Sequence, residues 1–392
     1  MMSTVVMGVL GFFFWIINAR LFTPSQVGIA TTLISVITLI TSFSLLGFNN
    51  GIIRYIPKST RKNELITSVF ILVTLTSISI ALIYLVLINV FSPKLLFVRE
   101  NTFFALFFVV FAAISTINLI LESIFIAHRS SKYVLLKNIV WSLLKLSLPL
   151  LLLTLGAYGI FISVGIASTL AVLLSIFILF LKFNYIFKPK IYKDVISRMT
   201  KFSFGNYVAT FLGGLPLLAL PILITNKLGP SLTAYYYMPV MIASFLFIIP
   251  QAITQSLFAE GSHNEEGFEE FYKKSLKLNA LLFLPAMMII YFLGKYILLV
   301  FGIDYAVEGT EFLQLLAISG TFIYINSVGA AILNIKYRIK KLVLINFLSA
   351  SLILGLSYYL LPMELLGIGI AWLVGQGIIS IIYLLNIKKF LK

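Results

Sequence analysis

Apolar stretches of about 17 to 25 residues recur along the whole chain, and they restrict its fold more than any other feature. Each stretch is long enough to cross about 30 Å of hydrocarbon. Of the 392 residues, 60% are hydrophobic and 11% are charged, which is more apolar surface than one globular core can bury. The longest polar segments, Lys182–Lys201 and Glu260–Lys277, are too short to form a catalytic domain outside the bilayer. We therefore expect an all-α integral membrane protein that is not an enzyme.

Breaks in hydropathy predict about twelve transmembrane helices. Basic residues concentrate after helices two, four, six, eight, ten and twelve, whereas the other side has only five. By the positive-inside rule, both termini of this multi-pass cell-membrane protein are expected to be cytoplasmic. The same rule accounts for the net charge of +16 without nucleic acid as a partner. The predicted helices are residues 3–20, 27–50, 65–91, 102–127, 138–155, 160–181, 202–226, 235–258, 277–294, 311–334, 342–361 and 367–387.

The residue types required for several chemistries are missing from the sequence. Cysteine is absent, which excludes disulfides, thiolate metal sites and cysteine nucleophiles. The two histidines have no carboxylate partners at metal-binding spacing, and no phosphate-binding loop of Walker type is present. Val5–Asn18 has neither a basic leader nor a cleavage site, so it is interpreted as a retained helix. No cofactor and no metal site is predicted.

An internal repeat relates the two halves at an offset of 206 to 208 residues. Pro24 aligns with Pro230, Asn118 with Asn326, Asn138 with Asn346 and Gly159 with Gly367. Six helices in each half give both copies the same orientation, so two parallel six-helix lobes should enclose a shared cavity. The predicted domains are an N-terminal lobe, residues 1–181, a cytoplasmic linker, residues 182–201, and a C-terminal lobe, residues 202–392. The linker is expected to be amphipathic, with Ile191, Val195, Met199 and Phe202 at helical spacing.

One acidic and one basic residue are predicted to lie well inside the membrane. With the helix limits above, every other charged residue lies in a loop or near a helix end. The exceptions are Glu122 in helix four and Lys145 in helix five, which should lie at similar depth and could pair. Ionisable residues at such depth are functional candidates, although a structural ion pair or a snorkelling lysine is the alternative. Arg20 and Arg54, near the ends of helices one and two, are weaker candidates or interfacial anchors.

Several segments resemble the polysaccharide-exporter branch of the multidrug/oligosaccharidyl-lipid/polysaccharide flippase superfamily. In the first half these are Ala19–Gly28, after helix one, and Leu46–Pro57, at the end of helix two. In the second half they are Leu228–Pro230, Ile249–Ser262 and Phe301–Tyr305. Each motif is loose, but their order and spacing along nearly the whole chain make the resemblance fairly specific. Many members of the superfamily have fourteen helices, so no role of a further helix pair is transferred to this chain.

The resemblance implies a MATE-like exporter fold and translocation of a polyprenyl-diphosphate-linked oligosaccharide from the cytoplasmic to the outer leaflet. Membrane lipid and the lipid-linked oligosaccharide are then partners, with glycan polymerases or glycosyltransferases as candidates. A diphosphate in a low-dielectric cavity needs cations, which Lys145, Arg20 and Arg54 could supply. These three residues and Glu122 are the predicted substrate-binding residues.

Two other functions are compatible with parts of the sequence. Cation-coupled drug or metabolite antiporters resemble the chain in fold, but they typically have an acidic residue in helix one, and Val5–Asn18 has none. Coupling through Glu122 keeps small-molecule antiport as the alternative. A membrane glycosyltransferase or polymerase would need ionisable residues in a large external loop, and the predicted external loops are short.

Overall fold

The described part of the chain contains twelve long helices, as the sequence predicts. A computed structural model describes residues 2–187, 190–263 and 268–391, and this part of the chain contains no strand. Eleven of the long helices are long and apolar enough to span a membrane, and Val6–Leu21 of the first is a shorter apolar helix. The helices are α1 Met2–Leu21, α2 Pro24–Ser44, α3 Lys62–Val86, α4 Thr102–Ala127, α5 Ser131–Leu151, α6 Ala157–Phe183, α7 Lys193–Lys227, α8 Pro230–His263, α9 Phe268–Leu299, α10 Ile303–Ile335, α11 Ile339–Tyr359 and α12 Glu364–Leu391.

Helices α1–α6 form a first lobe and α7–α12 form a second lobe that repeats it. Helix α5 and helix α11 begin and end at the same offset in the two lobes. The turns before them have equivalent left-handed residues, Arg129 and Tyr337, both with a φ of 54°. Gly159 and Gly367 are also equivalent, because a Cβ at either position would overlap a backbone carbonyl of the preceding turn. These shared details confirm the repeat and the arrangement of two parallel six-helix lobes.

Several predicted helix limits are wrong: α7, α9 and α10 begin eight or nine residues before their predicted starts. Two other wrong limits affect candidate residues. The second helix, predicted as 27–50, ends at Ser44, because Leu46 and Gly47 adopt left-handed conformations with φ of 48° and 80°. A separate short helix, Phe48–Tyr55, follows and contains Arg54. The fifth helix, predicted to begin at 138, begins at Ser131, seven residues earlier. Lys137 therefore lies inside a helix and not in a loop.

The segment between the lobes passes along the first turns of α3. The hydroxyls of Tyr185 and Thr67 are 2.7 Å apart, and the Tyr192 amide donates a 3.0 Å hydrogen bond to Ser68 Oγ. Helix α7 begins at Lys193, inside the predicted linker, and Met199 is buried. The side chains of Val195 and Phe202 are outside those that the structure describes. A separate amphipathic linker over residues 182–201 stays a prediction.

The hydrophobic core is shared at one end of the helix bundle and divided at the other. We call the end with the loops after α2, α4, α6, α8 and α10 the basic face, and the other end the opposite face. Near the opposite face, one cluster joins Trp15 and Val27 of the first lobe to Tyr236 and Phe312 of the second. Near the basic face, the clusters are separate. One contains the first lobe with the start of α7, and others belong to the second lobe alone. The two lobes are thus joined at the opposite face.

Candidate functional site

Glu122 forms a buried ion pair with Lys137 and not with Lys145. The Lys137 Nζ lies 3.2 Å from Glu122 Oε2 and 2.8 Å from Asn118 Oδ1, to which it donates a hydrogen bond. Lys137 is 1% exposed, whereas the Glu122 side chain is 33% exposed. The expected pairing with Lys145 is therefore wrong, because α5 begins earlier than predicted. At 1.5 Å per residue, Lys145 lies about 12 Å further along α5 than Lys137.

Lys145 is a buried cation without an acidic partner among the residues that the structure describes. Its Nζ lies 4.0 Å from the centroid of the Trp141 ring, one turn earlier on α5, and 5.3 Å from that of Phe14 on α1. A Cβ at Gly11 of α1 would be 3.9 Å from the same nitrogen. Aromatic faces stabilise an ammonium, but less strongly than a carboxylate does in a desolvated site. The ammonium is therefore available to an anion that approaches it.

Helix α1 separates Lys145 from the second lobe. Trp15 of α1 contacts Tyr237 of α8, with ring centroids 4.8 Å apart, and Phe12 contacts Phe245 with centroids at 6.2 Å. Gly8 lies against the Phe245 ring, which would stand 2.9 Å from a Cβ at that position. The α1 surface thus lacks a side chain beside Lys145, at Gly11, and beside Phe245, at Gly8.

Arg20 joins the two lobes at the opposite face. Its Nε donates a 2.9 Å hydrogen bond to the Val300 carbonyl, and its Nη2 donates a 2.7 Å hydrogen bond to the Leu299 carbonyl. These oxygens lie at the end of α9, where a helix has unpaired carbonyls and a partial negative charge. In this conformation Arg20 therefore closes a seam and is turned away from Lys145 and Glu122.

Further contacts close the same seam between α2 and the α7–α8 turn. The hydroxyls of Thr32, Thr225 and Thr233 form a buried chain that crosses from α2 to α7 and α8. At Gly28 a Cβ would overlap the Pro230 carbonyl, so the helices meet there through their backbones. No pattern in the sequence distinguishes these threonines from others in apolar helices. Their role depends on contacts between residues about 200 positions apart.

A cavity of about 250 Å³ lies between the lobes toward the basic face. It is lined by Ser42, Asn49 and Asn50 of the first lobe and by Tyr207 and Thr210 of α7. Arg54, on the same short helix as the two asparagines, is exposed, and it does not line this cavity. The structure thus does not bring the four predicted residues together. Lys145 and Glu122 are in the first-lobe interior, Arg20 is in the seam and Arg54 is at the basic face.

The basic half of α8 presents uncharged polar side chains to its surroundings. Ser244, Gln251 and Gln255 are exposed and follow one another at intervals of seven and four residues, which places them on one helix face. Exposed amides at this depth are expected to face water and not hydrocarbon. This spacing is visible in the sequence and could have identified the face. The described part of the chain contains no metal-binding group of three histidine or acidic residues.

Comparisons with known proteins agree on the fold. The chain is similar to the lipid II flippase MurJ in an inward closed conformation, with 15% identity and a TM-score of 0.80, covering 100% of this chain and 88% of that one. It is similar to an inward-facing multidrug resistance MATE family transporter of the MOP superfamily, with 16% identity and a TM-score of 0.73, covering 98% and 94%. A MATE protein in the straight conformation has 15% identity, a TM-score of 0.67 and coverage of 99% and 93%. These likenesses show a MATE-like exporter fold.

Sequence comparison assigns the family. A search of curated proteins finds no match. A family described as "Polysaccharide biosynthesis protein" matches residues 17–307, which include ten of the twelve long helices in whole or in part. The chain belongs to this family of polysaccharide biosynthesis proteins.

Proposed function

We propose that the protein is a flippase that moves a polyprenyl-diphosphate-linked oligosaccharide across the cell membrane. One observation supports this most: a single hydrophobic cluster includes both lobes near the opposite face, whereas near the basic face only the start of α7 joins the first-lobe cluster and the clusters of the other second-lobe helices contain no first-lobe residue. That is the arrangement expected of one end state of an alternating-access transporter. The excess of basic residues makes the basic face cytoplasmic, so this state would be open inward. Membership of a polysaccharide biosynthesis family supports a glycan as the cargo.

The chemistry of the space between the lobes suits such a cargo. Hydroxyl and amide groups, including Ser42, Asn49 and Gln251, offer hydrogen bonds to sugar hydroxyls without the desolvation penalty of full charges. The diphosphate would be attracted to the ammonium of Lys145, which forms no ion pair with a carboxylate of the described residues. MurJ, which is similar in fold, is a lipid II flippase, and a lipid-linked headgroup is the same class of cargo. Glycan polymerases or glycosyltransferases would act before or after the flipped product.

Transport requires the seam at the opposite face to open. The lobes would rock apart by breaking the Arg20 hydrogen bonds to Leu299 and Val300 and the hydroxyl contact between Thr32 and Thr225. Each of these bonds contributes on the order of 1 kcal/mol, and the apolar contacts shared by the lobes near this face would have to separate as well. Arg20 would then be free to meet the diphosphate as it leaves. Arg54 would act earlier, by attracting the anionic headgroup at the basic face.

The cellular location of the lipid-linked glycan tests this function. In cells that lack the protein, the lipid-linked oligosaccharide should accumulate in the cytoplasmic leaflet, and surface glycan should decrease. Sealed membrane vesicles of known orientation, treated with an impermeant glycan-binding probe, distinguish the two leaflets. Accumulation in the outer leaflet, or a normal amount of surface glycan, would contradict the proposal.

Small-molecule antiport coupled to a cation is the second candidate, because the MATE structures have the same fold. An antiporter of this kind needs a carboxylate that exchanges cations. Glu122 is held by Lys137 in the state described here, so a cation would first have to displace an ammonium. Reconstituted protein should then move a drug cation against a pH or sodium gradient. Gradient-driven drug transport without any effect on lipid-linked glycan would favour this alternative.

A further inference from the structure

Two adjoining depressions lie on the side of the first lobe, away from the cavity between the lobes. The upper pocket, of about 350 Å³, is at the basic face and is lined by polar residues that include Arg61, Lys62 and His128. The lower groove, of about 410 Å³, is lined by apolar residues of α3, α4 and α6, among them Phe70 and Ile176. The depressions share Leu179 and Tyr185 in their walls. They therefore lie side by side, with a polar depression at the basic face and an apolar one next to it.

Tyr185 holds the boundary between the two depressions in place. Its side chain is 5% exposed, and its hydroxyl is 2.7 Å from that of Thr67 on α3. Its ring also contacts Phe70 and Phe180, with centroids 6.2 and 5.6 Å away. Burial raises the pKa of the phenol, with the Thr67 hydrogen bond as a smaller opposing effect, so the group stays neutral. The boundary is thus a fixed, uncharged wall that a ligand can lie against.

The charge of the upper pocket selects a type of headgroup. Arg61 forms an ion pair with Glu64, and these two charges cancel. Lys62 has no such partner among the described residues, and its ammonium leaves the pocket with a net positive charge. A phosphate ester would add an anion beside Lys62 and Arg61 without burying it in hydrocarbon. A zwitterionic headgroup would gain less, because its own cation would face the same lysine.

The position of the apolar groove selects a hydrocarbon chain. Phe70 and Leu75 lie about 12 and 20 Å from the start of α3 at 1.5 Å per residue, so the groove extends from near the basic face into the middle of the membrane. That is the depth of the upper part of an acyl chain below its headgroup. Among the residues that line the groove, only Thr74 and Tyr185 have a polar group in the side chain. A free phosphate or a soluble anion would leave the groove unused.

We propose that these two depressions together bind one anionic phospholipid of the cytoplasmic leaflet, with its phosphate beside Lys62 and one acyl chain along Phe70. The site does not include the groups assigned above to the transported glycan, so the bound lipid is a resident ligand and not cargo. Its wall includes Tyr185 and Phe187 of the segment that connects the lobes. A bound lipid would therefore hold this connecting segment against α3.

Native mass spectrometry of the full-length protein, released from detergent, tests the site. The probes are phosphatidylglycerol and phosphatidylcholine with identical acyl chains, inorganic phosphate and undecaprenyl phosphate. We expect the protein to retain one phosphatidylglycerol more tightly than one phosphatidylcholine, and not to retain inorganic phosphate. Lys62→Gln should weaken phosphatidylglycerol binding by about fivefold, whereas Lys340→Gln, at an exposed lysine of the second lobe, should not change it.

A second variant tests the groove independently of charge. Thr74→Trp should fill the groove and weaken the retention of both phospholipids, while their order of preference is kept. Leu282→Trp, at an exposed position of α9, is the control for added bulk, and Leu75→Trp replaces Thr74→Trp if that variant elutes as an aggregate. Equal retention of the two phospholipids, or unchanged binding in both Lys62→Gln and the groove variant, would overturn the proposal. Preferred retention of undecaprenyl phosphate would also overturn it, because the occupant would then be the carrier lipid.

Discussion

Replacement of Lys145 by methionine should stabilise the protein and stop glycan export. A buried ammonium costs on the order of 2.5 to 3.5 kcal/mol on membrane-insertion scales. The Trp141 and Phe14 rings, at 4.0 and 5.3 Å, return roughly 0.5 to 2 kcal/mol of this through cation–π attraction. Methionine has a similar length and no charge, so Lys145→Met should raise the free energy of unfolding by about 1 to 2 kcal/mol. A residue that lowers stability in this way is expected to serve the cargo.

The assay combines two measurements on each variant. The midpoint of thermal denaturation in detergent reports stability, and surface glycan in cells that contain only the variant reports export. Lys137→Met is the matched control on the same helix, and it should lower the denaturation midpoint because Glu122 loses its partner. Lys145→Arg should retain part of the export, since it keeps the charge that the diphosphate needs.

Two results would refute the reasoning on Lys145. Normal export by Lys145→Met would show that the ammonium does not meet the cargo. A loss of stability as large as that of Lys137→Met would show that Lys145 has a stabilising partner, and that the loss of export follows from damage to the fold. Reduced export together with unchanged or higher stability would satisfy the prediction.

The seam and the buried pair give three further predictions. Gly28→Ala should reduce export, because the added Cβ overlaps a carbonyl of α8 and separates the lobes at the opposite face. In this variant, an impermeant maleimide should label a single cysteine introduced into the seam at the opposite face more readily. Arg20→Gln should increase the same labelling more mildly, since two hydrogen bonds of about 1 kcal/mol each are lost. Lys137→Ile and Glu122→Ala should each lower the denaturation midpoint, whereas the double variant should recover most of the loss.

Two of these three predictions have a control variant within the chain. Gly355→Ala adds a Cβ in open space and should leave export unchanged. Arg99→Gln removes a hydrogen bond to Val86 at the same face but within one lobe, so labelling of the seam should stay low. Because the chain has no native cysteine, labelling has no background. Equal labelling of the seam cysteine with and without Gly28→Ala would contradict the first prediction. A denaturation midpoint of the double variant that falls by the sum of the two single losses would contradict the third.

The sequence predicts the number of helices and their repeat because both depend on local patterns. Apolar length determines a span, and matched residues such as Pro24 and Pro230 mark the same turn in each lobe. Helix limits are predicted less well where a turn is apolar. The left-handed Leu46 ends α2 inside a hydrophobic run, and hydropathy does not register a change of backbone direction. Hydropathy therefore misses the separate short helix after it.

Partners of buried charges could not be predicted from hydropathy. Lys137 precedes an apolar run, which predicts a loop position, although it is one of the most buried large side chains of the described chain. It reaches this position because α4 and α5 run antiparallel and bring Asn118 and Glu122 to its depth. Hydropathy correctly identifies Lys145 as a basic residue inside an apolar helix. Its relation to α1, and not to Glu122, depends on packing between helices that are far apart in sequence.

The two lobes differ at the positions of both buried cations. Ala330 and Ile345 replace Glu122 and Lys137 in the second lobe, where Asn326 instead donates a 2.7 Å hydrogen bond to Gln376. This neutral hydrogen bond joins α10 to α12, and the two positions equivalent to the ion pair between α4 and α5 carry no charge in the second lobe.

The second lobe also has an apolar residue, Ile353, at the position equivalent to Lys145. Ile353 is 1% exposed and fills the space beside Gly375 of α12, whereas Lys145 extends toward Gly11 of α1. An apolar side chain therefore satisfies the fold at this position of the repeat, and the lysine does not arise from a need of the helix bundle. A cargo with one anionic group needs its counter-charge on one lobe only, since a second cation on the other lobe would hold the lobes together around the anion. The proposed function therefore predicts that Ile353→Lys would reduce export, because a cation on each lobe would hold the lobes together around the proposed diphosphate.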